Sequence, residues 1–262
     1  MFFTDFDHGM GHVCSMSLKR LIFFSLLTFS LSVLAIGQSN NLVISNFQWF
    51  QYYNQSRITD RWSLFVDGGF RWENGFEQRS QYIIRSAAGY SIRKNTRLSA
   101  GIAFLGGYSP EVWSRAELRP FQEFSTRHPV NSSKLTHRLR LEERFLHDVI
   151  EGNIQPYNTF LFRFRYLFMF NIPLVQNFRN SPETKLFLLA GNEILLHLGE
   201  NEIYSVFDQN RILVGPGLQV SKKMKFTLLY NGMYGSKPLP YQYQYNNIVW
   251  VGIRHNMDWS HH

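Results

Sequence analysis

Cysteine is nearly absent: Cys14 is the single one in 262 residues, which excludes a disulfide scaffold. Charge is scarce as well. Asp, Glu, Lys and Arg make up 18% of the chain, below the roughly 25% of ordinary soluble domains. Long apolar runs are missing apart from residues 21–36, and a mean hydropathy of −0.23 excludes a protein of several membrane-spanning helices. Aromatic residues are plentiful, with 24 Phe, 13 Tyr and 6 Trp. That load excludes disorder. The remainder is a basic, β-rich chain of net charge +8.

The one apolar run has the grammar of an export signal. Lys19 and Arg20 precede Leu21-Ile22-Phe23-Phe24, and small residues follow in Ala35-Ile36-Gly37 before polar Gln38-Ser39-Asn40. A basic start, an apolar middle and a small-residue end make a secretory signal peptide, with cleavage expected after Gly37. A retained membrane anchor is the alternative, for which the run is short. Met16 reads as the start of the leader, and residues 1–15 as an upstream extension from a misplaced gene start. Residues 1–37 are therefore extension plus leader, and 38–262 a single outer-membrane β-barrel domain. Cys14 lies upstream of the apolar run, where it cannot be a lipoprotein anchor. A mature chain without cysteine needs another source of stability, such as a closed sheet.

From Asn41 onward the hydrophobic period is two. In 158–172, Phe160, Phe162, Phe164, Tyr166, Phe168 and Phe170 share one face, while Thr159, Arg163, Arg165 and Asn171 take the other. Trp62, Leu64, Val66, Gly68, Phe70 and Trp72 likewise oppose Ser63, Asp67 and Arg71. A strand with lipid on one side and a wet lumen on the other needs that division. Short turns near 57–60, 93–96 and 221–224 alternate with longer loops expected at 107–113, 148–156, 199–208 and 236–243. The connections 127–134 and 173–184 are longer than their side of the barrel prefers. Pro120 and Phe121 blur the alternation of 115–124. The reading is all-β: an antiparallel transmembrane up-and-down β-barrel of about 10–12 strands. Some eleven candidates are visible, and a short strand in 42–53 is expected to bring the count to an even twelve. A soluble periplasmic sandwich or lipocalin-like barrel is the alternative; it would turn its large apolar residues inward.

Charges that alternate with lipid-facing residues belong in the lumen. Glu117, Arg119 and Glu123, then Arg138, Arg140, Glu142 and Arg144, then Arg163 and Arg165 form a charge belt on adjacent strands, continued by Glu193 and Arg211. Two readings stand: a positively biased pore or anion cavity, or a salt-bridged plug that shuts the lumen. The scattered histidines have no metal-ligand spacing, and no segment carries a distinctive Ser–His–acid constellation. Gly215-Pro216-Gly217 and Gly106-Gly107 are no phosphate loops, because no helix follows them. The residues call for no cofactor, no metal, no catalytic group and no nucleic acid. A non-enzymatic barrel, either channel or structural, is expected. An outer-membrane enzyme acting on lipid or lipopolysaccharide is the other class, and a soluble periplasmic binding protein a third.

The stretches His137-Arg138-Leu139-Arg140-Leu141-Glu142-Glu143-Arg144-Phe145, Arg163-Phe164-Arg165, Asn210-Arg211-Ile212-Leu213-Val214-Gly215 and Glu117-Leu118-Arg119-Pro120-Phe121-Gln122 resemble the domain-of-unknown-function 2490 family. The Ala-Ile-Gly-Gln leader end does so too. The resemblance implies a small outer-membrane barrel of the kind common in Bacteroidota, located in the outer membrane of a Gram-negative cell. Its partners would be outer-membrane lipid, lipopolysaccharide and, during biogenesis, the barrel-assembly machinery. It implies no activity and no functional residues. The chain departs from a usual barrel ending in that Trp259 is followed by Ser260-His261-His262.

Overall fold

A computed structural model describes residues 42–176, 183–199, 205–237 and 242–260. The leader and its cleavage point lie outside the described residues. Eleven strands follow one another: β1 (Leu42–Arg57), β2 (Trp62–Glu73), β3 (Gln78–Arg93), β4 (Thr96–Tyr108), β5 (Trp113–Val130) and β6 (Ser133–Ile150). Then come β7 (Asn153–Val175), β8 (Lys185–Leu198), β9 (Phe207–Gln219), β10 (Met224–Ser236) and β11 (Tyr243–Asp258). Each pairs with its sequence neighbours, and β11 pairs with β1 to close the barrel.

Among the described residues the expected twelfth strand is not there. Residues 42–53 do form a strand, but β1 is already among the eleven. In an up-and-down meander of odd count the first and last strands run the same way. The closing β1–β11 pair is accordingly parallel, in register from Leu42↔Tyr243 to Arg57↔Asp258. Closure leaves no open sheet edge among the described strands.

The turns also differ from expectation. The connections expected to be long at 127–134 and 148–156 are two-residue hairpins: Val130 pairs with Ser133 and Ile150 with Asn153. Asn131 (φ 53°), Glu151 (φ 50°) and Gly152 (φ 78°) take up the left-handed backbone such tight turns need. Pro129 and Pro156, which looked like loop residues, stand inside β5 and β7. Pro120 does have a structural effect: β5 loses its ladder to β6 between Leu118↔Phe145 and Phe121↔Glu142, because proline offers no N–H.

Side chains alternate between wall and lumen as the period of two requires. Eleven strands about 4.8 Å apart and tilted near 40° enclose a backbone radius of roughly 11 Å. Long side chains from facing walls meet across that width. Outward, Ile84, Ile102, Leu139, Leu228 and Val249 are exposed apolar residues. Aromatic pairs flank this aliphatic band: Trp62 meets Tyr90 at a tilt near one end, and Tyr82 meets Tyr108 near the other.

Candidate functional site

The lumen has two unlike halves. Strands β10, β11 and β1–β4 contribute apolar and aromatic side chains. Trp49, Met233 and Ile248 form one buried cluster with Phe47 and Trp250 against it, and Ile83, Ala103 and Leu105 form a second. Strands β5–β9 contribute arginines and carboxylates. Charge faces the lumen there because the same strands present Leu118, Leu139, Phe162 and Ile212 outward on alternate positions.

These charges are joined into one lattice. Glu142, only 1% exposed, accepts from Arg163 at 2.6 and 2.8 Å and from Arg165 at 2.7 Å, with Arg140 at 3.6 Å and Arg119 at 3.8 Å. Arg165 also donates to Glu193 at 2.6 Å, which Arg138 reaches at 2.6 Å and Arg211 at 3.3 Å. Arg140 bonds Glu123 at 2.5 and 2.9 Å, and its guanidinium lies 4.4 Å from the centre of the Phe121 ring. Arg119 and Arg144 hold Glu117 at 2.8 and 2.6 Å. Arg163 extends the lattice to Asp208 at 3.0 Å. The structure thus brings together Glu117, Arg119, Glu123, Arg138, Arg140, Glu142, Arg144, Arg163, Arg165, Glu193 and Arg211, all on inward positions. Arg140, Arg144, Arg163 and Arg165 each place two nitrogens on one carboxylate, and Arg119, Arg138, Arg140, Arg163 and Arg165 each bridge two carboxylates.

Sequence reading missed several members. Asp208 was placed in a loop; a register shift between Leu195 and Leu196 swings it into the lumen. Asp67 was read as inward but not as part of the site. It takes Arg85 at 2.8 Å and the Gln51 amide at 2.6 Å on the apolar side. Arg71 was likewise seen only as inward. Its guanidinium lies 3.9 Å from the centre of the Trp49 ring and donates to Gln81 Oε1.

Beyond the lattice the two mouths differ. At the end carrying the 74–77 and 109–112 turns, a cavity of about 520 Å³ is lined by residues including Phe47, Trp49, Arg71, Gln81, Tyr108, Arg115, Gln209, Gln244 and Asn246. On its outer rim the side-chain and backbone N–H groups of Arg79 bond Glu111, holding that carboxyl below its ordinary range. At the opposite end Lys225 and Arg254 are direct ladder partners, and Lys185 reaches Lys225 through Gln219. Arg127 and Lys134 add their charge to the same mouth.

Outside the lumen, polar pairs interrupt the apolar wall. Gln122 donates to Glu143 at 3.1 Å, and Asn192 and Asn210 exchange bonds of 2.8 and 3.2 Å. Among the described residues, no three His, Cys, Asp or Glu stand together as a metal site.

A closed meander barrel with this Arg/Glu-lined lumen sits on a sequence that matches the profile of DUF2490, described as proteins of unknown function, over residues 47–244. The chain belongs to that family. The match spans β1 to the start of β11 and so covers every residue of the lattice. No curated protein matches this DUF2490 member. The family description carries no activity, so function rests on the chemistry of the lumen.

Proposed function

We propose that this DUF2490 protein is a non-enzymatic outer-membrane barrel whose lumen is closed by the arginine–carboxylate lattice, serving as a structural and binding protein. The observation that carries the closed lumen is Glu142, 1% exposed with two arginines hydrogen-bonded to it and two more within 4 Å. An open aqueous pathway would hydrate that carboxylate. The outer-membrane placement is supported by the wall. Trp62 and Trp72 stand ten positions apart on the outer face of β2, a span of roughly 25 Å at about 3.3 Å per residue and 40° tilt, the height of an outer-membrane apolar band. The leader read at 19–37 supplies the export route. Lipid and lipopolysaccharide would surround the wall, and the barrel-assembly machinery would insert it.

An anion-biased channel is the second reading, favoured by one feature: the cationic mouth of Lys185, Lys225 and Arg254. Conductance across a planar bilayer separates the two. A closed barrel gives no stable current steps at moderate voltage. Steps with anion preference in the unmodified protein would discard the closed lumen and establish the channel.

A further inference from the structure

We infer that the 520 Å³ cavity above the lattice is a binding site for a small anionic, hydroxyl-bearing solute, of the sugar-acid or sugar-phosphate class, held by Arg71 against Trp49. Unlike the lattice arginines, Arg71 has no carboxylate partner among the described residues. Its side chain is held over Trp49 and by Gln81, and it lines the cavity. Arg71 Nε and Trp49 Nε1 are both buried without a hydrogen-bond partner. Buried donors are seldom left so, and a guanidinium held over a ring without a carboxylate partner is suited to a planar or tetrahedral oxyanion.

The rest of the wall has the same polarity. Gln81 spends its carbonyl oxygen on Arg71, and Gln209 spends its own on Arg211 at 2.6 Å. Both side chains line the space, with their N–H groups not spent on these arginines. Gln244 and Asn246 add further amides, and no Asp or Glu lines the cavity among the described residues. Donors without carboxylates reject cations and accept oxygen-rich anions. The volume is within the roughly 300–1,000 Å³ of small-molecule sites. This goes beyond the closed-lumen reading and does not depend on it, because the cavity opens at one mouth.

Tryptophan fluorescence of the full chain refolded in detergent micelles tests it, with glucuronate, glucose 6-phosphate, glucose and inorganic phosphate as probes at constant ionic strength. A saturable change with one or both anionic sugars, none with glucose and weaker binding of phosphate alone is the expected result. The two sugars distinguish a carboxylate from a phosphate ligand. Arg71→Gln should weaken the affinity about 10- to 100-fold, the scale of charge-assisted hydrogen bonds, and Trp49→Phe should remove the optical signal. If Arg71→Gln does not refold, displacement of the bound sugar by excess phosphate in the unmodified protein takes its place. No saturable response to either anionic sugar, an equal response to glucose, unchanged affinity in Arg71→Gln, or no displacement by phosphate overturns the site. Bilayer currents would leave this titration untouched, so the two readings fail separately.

Discussion

Arg163 and Glu142 meet through two hydrogen bonds of 2.8 and 2.6 Å, from Nε and Nη2 to one carboxylate oxygen, on neighbouring strands β7 and β6. The pair is a register lock as well as an ion pair. Sliding either strand by one residue would carry an arginine to the apolar outer face. Net stabilisation from such buried pairs is small, since desolvation offsets most of the Coulomb attraction, but removing one partner alone is costly. Glu142→Ala, which leaves Arg163 with Asp208 alone and Arg165 with Glu193 alone as carboxylate partners, should lower the unfolding free energy in lipid by about 3–5 kcal/mol. Urea titration of the vesicle-inserted protein measures it; a loss below about 1 kcal/mol would show a hydrated lumen instead.

The outer wall holds the opposite kind of polar pair. Gln122 and Glu143 bond each other at 3.1 Å on positions that neighbour Leu141 and Phe162 in the ladders. A carboxylate on the lipid face is destabilising, though less than a buried arginine or lysine there. Replacing both, Gln122→Leu with Glu143→Leu, should therefore stabilise the barrel in bilayers by about 1 kcal/mol and leave a detergent-solubilised sample nearly unchanged. A destabilised double variant in lipid would mean that the pair does not face acyl chains.

At the cationic mouth, Lys225 and Arg254 are like charges on ladder-partner positions. Opposed like charges destabilise a sheet, and salt screens them over a Debye length of about 10 Å at 0.1 M. Lys225→Gln should raise the melting temperature at low salt, by a free energy of at most about 1 kcal/mol, and the gain should vanish near 1 M salt. Melting curves at the two ionic strengths decide it. A gain that persists at 1 M would assign the effect to packing rather than charge.

Much of the lattice was legible because a barrel with an apolar outer wall punishes errors of alternation. Arg138, Arg140, Glu142 and Arg144 stand two apart, as do Arg163 and Arg165, so the lumen face could be read from period alone. Relations between distant residues left no such trace. Asp208 enters the lumen through a register shift, which a periodic reading cannot register. Trp49 and Arg71 come together only because β1 and β2 pair with those two residues opposite each other. The hairpins at 131–132 and 151–152 were hidden because Pro129 and Pro156 suggest loops, yet strand ends at a barrel rim tolerate proline. The parity of the count was also beyond local reading, since it depends on how β1 meets β11.

That closing pair can be tested directly. With eleven strands the first and last run parallel, and Gln48 faces Val249 on the outer wall, with Val251 two residues further along β11. A twelve-stranded antiparallel closure would put an intervening strand between β1 and β11 and separate these positions. The chain has a single cysteine, so Cys14→Ser gives a thiol-free background. In it, Gln48→Cys with Val249→Cys should form an intramolecular disulfide on mild oxidation, because adjacent ladder positions fall within the roughly 4.4–6.8 Å Cα separation that a disulfide bridges. Gln48→Cys with Val251→Cys, offset by about 7 Å along the strand, should cross-link far less. A mobility shift on denaturing gels, reversed by reductant, reads both. Cross-linking of the offset pair in preference to the first would move the register by two residues. Failure of both pairs would overturn the parallel closure and with it the eleven-stranded barrel.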